Sequence, residues 1–143
     1  MPRRIETLML REHKRIDNFI EELEANLDNY EKTKVLFNKL KWNLEKHFFV
    51  EERIIFDSFI NISGQETNDI FHLLEDHVRI INLLNIIEER LNQKIKPKLE
   101  YLKKIIQIHR DFEDEEFYPN LDIVLNSEEK DKIAEKIREI IPG

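Results

Sequence analysis

The sequence predicts an all-α protein: an up-down-up-down antiparallel four-helix bundle with a short C-terminal helix. Three observations carry that prediction. Apolar residues recur at three- and four-residue steps almost from end to end, the period of a helix with one buried face. Two glycines and four prolines among 143 residues are too few for the turns of an all-β fold. The breaks between stripes are short, so successive long helices must lie antiparallel to one another.

The first stripe, Met9, His13, Ile16, Ile20, Leu23 and Leu27, predicts a helix from about Pro2 to Leu27. Asp28-Asn29-Tyr30 interrupts it. A second helix, from about Glu31 to Ile60, lays Leu36, Leu40, Leu44, His47, Glu51 and Ile55 along one face. Asn61-Ile62-Ser63-Gly64 is the clearest break. Ser63 with Glu66 reads as a capping box opening a third helix to about Lys94, striped by Ile70, Leu73, His77, Ile80, Leu84, Ile87 and Leu91. Pro97 suits the first turn of a fourth helix, striped by Leu102, Ile105, His109, Phe112, Glu113 and Glu116. Pro119 is expected to end or kink it. Asn126-Ser127 then caps a short amphipathic helix carrying Ile133, Ile137, Ile140 and Ile141, placed either to close one end of the bundle or to pair with a second copy.

Bulk composition narrows the function. The length suits one domain spanning 1–143, able to bury its own core. A formal charge of -7 argues against nucleic acid or an anionic membrane as the main partner. The absence of cysteine removes disulfides, thiolate metal sites, cysteine-ligated iron–sulfur clusters and cysteine nucleophiles. No apolar run approaches the roughly 20 residues of a membrane span, and charged residues interrupt the N-terminal segment before any signal-peptide core forms. The expected compartment is the cytoplasm, with oligomeric state left open.

The chemistry lies in the histidines. His13, His47, His77 and His109 fall once on each long helix, at positions where a core residue belongs. One such histidine alone is ordinarily a core or rim residue, and one His–Glu pair is ordinarily a surface hydrogen bond. Here, however, Glu51 and Glu113 follow His47 and His109 by four residues on the apolar stripes. An unpaired carboxylate there would cost several kcal/mol or titrate away. Four inward imidazoles and two inward carboxylates suit iron, manganese or zinc. Two carboxylates able to bridge favour a dinuclear centre.

These motifs carry a resemblance across essentially the whole chain. Leu10-Arg11-Glu12-His13, His47-Phe48-Phe49-Val50-Glu51-Glu52-Arg53-Ile54-Ile55-Phe56, Glu75-Asp76-His77, and His109 through Pro119 resemble the hemerythrin-like, or HHE cation-binding, family. The resemblance implies a bundle around two non-haem iron ions, bridged by carboxylates and an oxo or hydroxo group. It implies His13 and His47 on one iron, His77 and His109 on the other, and Glu51 and Glu113 between them. Oxygen-carrying members use a fifth histidine four residues from the one on the third helix. Leu73 and Ile81 occupy those positions here. Oxygen carriers also have an acid at the place of Asp114, five residues after His109, whereas Glu113 stands four after it. Four residues turn a helix to within about 40° and five to about 140°, which favours Glu113.

The four-histidine, two-glutamate set resembles the di-iron proteins of iron-centre repair more than the oxygen carriers, though without the cysteine-containing N-terminal segment that those often carry. The missing nitrogen ligand leaves capacity for a small molecule. The leading expectation is a protein that binds or senses O2, NO or redox state. The alternatives are an enzyme acting on NO or peroxide, with Glu116, Tyr101 or Tyr118 as the available acids, and iron storage and donation. A metal-free interaction module is the bland alternative. Manganese or zinc could replace iron. Among the remaining residues, His72 is expected at the surface or rim, brought closer only by a π-bulge. Glu116 is a candidate supplementary ligand, and Glu52, Asp114 and Glu115 are expected in solvent. Trp42 and Tyr101 are expected in the core, with Phe48, Phe112 and Phe117 around the pocket.

Overall fold

The computed structural model describes residues 4–64 and 67–141. Helix α1 (Arg4–Glu24) buries Met9, Ile16, Ile20 and Leu23. The turn after it is tied by the Thr33 hydroxyl, which donates to the Asn26 carbonyl at 2.8 Å. Asn29 caps α2 (Tyr30–Val50), its side chain accepting from the Lys32 N–H at 3.1 Å. Then α2 passes without a break into a π-helical stretch, Glu51–Phe56, and on into α3 (Asp57–Ser63), which stops at Gly64 with φ 74°. The predicted Ser63–Glu66 capping box includes Glu66, which lies outside the described residues. Instead, the Thr67 side chain caps α4 (Asn68–Asn92), accepting from the Ile70 N–H at 3.2 Å.

The end of α4 is a Schellman turn. Ile95 N–H donates to the Arg90 carbonyl at 3.0 Å and Lys94 N–H to the Leu91 carbonyl at 2.9 Å. Lys94 takes the left-handed position (φ 63°) that glycine usually fills. Pro97 is not in the first turn of the next helix, as its sequence position predicts. It lies in the irregular connection with Leu99, both buried, and only beyond them does α5 (Glu100–Phe112) begin. A second π-helical stretch, Glu113–Phe117, joins α5 to α6 (Tyr118–Val124). Pro119 therefore does not end the helix. It sits in the first turn of α6, directly after the π-helical stretch. An Asn126–Glu129 capping box opens α7 (Ser127–Ile140).

Helices α1, α2, α4 and α5 form the predicted bundle, with α1 beside α2, α2 beside α4 and α4 beside α5. Helix α7 folds back against α1 and the first π stretch, closing that end of the bundle. Its Ile133, Ala134, Ile137 and Ile141 are buried there.

The apolar core is divided. One part holds Met9, Ile55, Phe56, Leu73, Phe117 and Ile137. The other holds Ile16, Leu23, Phe37, Leu40, Leu84 and Leu102. Along each of the four helices the change from one part to the other falls at the histidine or within three residues of it, so a polar layer crosses the bundle between them. Trp42 and Tyr101 are not core residues: they are 62% and 57% exposed. Trp42 lies midway between Leu40 and Leu44, on the opposite side of the helix, with the Lys46 ammonium over its ring. No helix among the described residues is long and apolar enough to cross a membrane.

Candidate metal centre

All six sequence-predicted residues meet in the polar layer: His13, His47, Glu51, His77, His109 and Glu113 are each at most 6% exposed. The two carboxylates occupy the middle. Glu51 Oε1 lies 3.3 Å from His47 Nε2 and 3.1 Å from His77 Nε2. Glu113 Oε1 lies 3.3 Å from His13 Nε2 and 3.4 Å from His109 Nε2. Each glutamate thus spans one histidine from the α1–α2 hairpin and one from the α4–α5 hairpin. Two sets offer ligand atoms within 4.8 Å of one another: Glu51, His77, His109 and Glu113, and His13, His47 and Glu113.

The outward nitrogens of three rings are held by acids on other helices. His13 Nδ1 is 3.2 Å from Asp114, His77 Nδ1 2.7 Å from Glu52, and His109 Nδ1 2.9 Å from Asp76. Glu52 and Asp114 are therefore not the purely solvated residues their sequence positions suggest. Each follows a central glutamate, and the turn that sends the glutamate inward leaves its neighbour facing the adjacent ring. Asp76 has no sequence signal beyond preceding His77. Glu115 and Glu116 are exposed, so Glu116 is no supplementary ligand. The π stretch alters the register between His109 and +7, and a regular 3.6-residue count misplaces it. His72 stays outside, half-exposed, its Nε2 3.6 Å from Asp76; α4 carries no π-bulge that would turn it inward. Leu73, at one of the fifth-histidine positions, belongs to the apolar core, and Ile81 is half-buried.

Both π stretches begin at a central glutamate. Their i→i+5 spacing brings the fifth residue onward over the same face, which a regular helix would place about 140° away. Phe56 accordingly comes to 5.9 Å from His77. Tyr118 is fully enclosed, and its hydroxyl donates to Glu51 Oε2 at 2.5 Å while lying 3.3 Å from Glu113 Oε2. One phenol thus touches both central carboxylates. Of the expected wall residues, Phe48 stacks on His77 at 4.0 Å. Phe117 packs below on Phe56, and Phe112 lies against His72.

Charge is concentrated in a buried layer. Burial alone would raise the Glu51 pKa, but His47, His109 and His77 hold it well below the usual carboxylate value. Burial lowers His47 against the pull of Glu51. Burial would also lower His77, yet Glu51 and Glu52 raise it to about 9. For Asp76 the His109 ring outweighs burial, and the pKa falls. Burial, then Glu51, pushes the Tyr118 phenol well above its usual range.

The donor set fits a metal. Nε2 of His13, Nε2 of His109 and Oε1 of Glu113 are buried with no hydrogen-bond partner. They are aimed at one another, an arrangement costly by itself and satisfied by a cation. Nitrogen and oxygen donors without thiolate match iron, manganese or zinc. No curated protein and no solved structure gives a significant match to the chain. The family model described as the hemerythrin HHE cation-binding domain does match, over residues 4–141. The buried cluster and this near-complete match agree: the chain belongs to the hemerythrin HHE cation-binding domain family.

Proposed function

We propose that this is a cytoplasmic non-haem di-iron protein that binds or senses a small uncharged molecule, O2 or NO, or the redox state linked to it. One observation carries the reading: Glu51 Oε1 and Glu113 Oε1 each lie between two histidines from different hairpins. In it His13 and His47 would hold one iron, His77 and His109 the other, and Glu51 and Glu113 would serve both. Iron held this way would supply open coordination positions and a ferrous–ferric couple.

The protein's own contribution is enclosure and orientation. A small cavity borders His13, His47, His109 and Glu113 and is otherwise lined by Ile16, Leu44, Phe48, Ile80, Ile106 and Arg110. The aliphatic part of that wall strips water from whatever enters, which suits a small uncharged molecule. On the other side, Tyr118 fixes the far oxygen of Glu51. The testing experiment is metal analysis of iron-supplied protein, followed by titration of the ferrous form with NO and O2. About two irons per chain and a saturable spectral change are expected. Zinc alone, or iron with no response to either gas, would sink the reading.

A second reading is turnover of NO or peroxide. The Tyr118 hydroxyl favours it, being a buried proton-bearing group in contact with both carboxylates. Multiple-turnover consumption with an electron donor, diminished in Tyr118→Phe, separates catalysis from binding.

A further inference from the structure

The chain contains the same arrangement twice. In the first half an acid–histidine pair, Glu12-His13, is followed on the next helix by His47, Glu51 and Glu52. In the second half Asp76-His77 is followed by His109, Glu113 and Asp114. A π-helical stretch starts at the glutamate in both. The contacts around the rings obey this correspondence. Glu52 of the first half holds His77 of the second, and Asp114 of the second holds His13 of the first. Within the second half, Asp76 holds His109. The corresponding bond in the first half would join Glu12 to His47.

The two groups it would join are both buried, on neighbouring helices. His47 Nδ1, the nitrogen turned away from Glu51, is buried and has no hydrogen-bond partner. Glu12 is only 4% exposed, on the helix packed beside that of His47. A buried carboxylate and a buried ring nitrogen are each costly without a partner. A ligating imidazole almost always gives its other N–H to a carboxylate or carbonyl.

We infer that Glu12 is the positioning residue of His47, accepting its Nδ1–H when Nε2 is committed to a cation, as Asp76 does for His109. The four outer acids then form one set. Glu12 and Asp76 each serve a ring of their own hairpin, and Glu52 and Asp114 each cross to the other. This rests on the two-cation reading above.

The test uses full-length protein loaded with Zn2+, which is diamagnetic, and labelled with 15N-histidine. In the wild type, two zinc ions bind and His47 gives a slowly exchanging Nδ1–H resonance. In Glu12→Ala that resonance is lost and one of the two zinc affinities, measured by chelator competition, falls about 10–100-fold. Glu12→Gln, which keeps an acceptor oxygen, restores the resonance and most of the affinity. Circular dichroism of each variant separates misfolding from a local loss. A wild type that takes up no zinc overturns the two-cation centre and this inference with it. A wild type holding two, with Glu12→Ala equal in affinity and in the His47 resonance, overturns the inference alone.

Discussion

At the scale of single residues, the central carboxylates and the ring-facing acids make different predictions. Glu51→Ala or Glu113→Ala should drop metal content from two ions to one or none, since each oxygen lies between two histidines. His72→Ala should leave the content unchanged, because its half-exposed ring lies outside the cluster. Elemental analysis decides both. Chelated protein should show the charge state of His77 directly. Its folded pKa, raised from 6.5 to about 9, means that its contribution is fully present below pH 6.5 and is lost as pH rises through about 9. Denaturant titrations of chelated protein from pH 6 to 10 should show that loss, and His77→Gln should flatten it. The inward residues were legible in the sequence because they lie on the apolar stripes, where a histidine or glutamate is conspicuous. The outer acids were not. Asp114 meets His13, Glu52 meets His77 and Asp76 meets His109 across helices, and periodicity reports only which residues of one helix share a face.

At the scale of elements, the Lys94 turn is a place where stability can be added. Lys94 occupies the left-handed position of a Schellman turn, at a cost of roughly 1 kcal/mol for a residue with a Cβ. Lys94→Gly should recover about that much, a rise in Tm of about 2–4 °C for a chain of this size, read by thermal melts. Gly64, left-handed at the end of α3, is the converse. Gly64→Ala should lose about 1 kcal/mol through backbone strain alone, since a Cβ there meets nothing within 4 Å. The four long helices and the C-terminal one were readable from spacing and caps. The π stretches were not, because one widened turn barely disturbs an apolar pattern spread over a helix. Counting at 3.6 residues per turn therefore identified Glu113 but placed Glu116 near the centre and gave no reason to bring Tyr118 there. Pro97 was misplaced for a different reason: it is buried with Leu99 in the connection, a tertiary demand invisible to a local rule.

At the scale of the whole molecule, the bundle joins two apolar bodies through a plate of imidazoles and carboxylates. Removing metal should therefore cost more than the loss of a few local bonds: chelation is expected to lower Tm by many degrees, and restoring the ion should reverse it. An interaction module without metal would melt identically in both conditions. The same division sets how the chain comes apart. Among the described buried residues, apolar contact falls into two clusters, joined through the helix backbones and the ionic layer. With cations in place the two ends should open as one unit. Without them each becomes its own cooperative unit, and hydrogen exchange should reveal two opening energies where the loaded protein has one. A single shared opening energy in chelated protein would show that the backbones alone suffice as the coupling. The metal centre, on this view, is also the rivet that makes the bundle one folding unit.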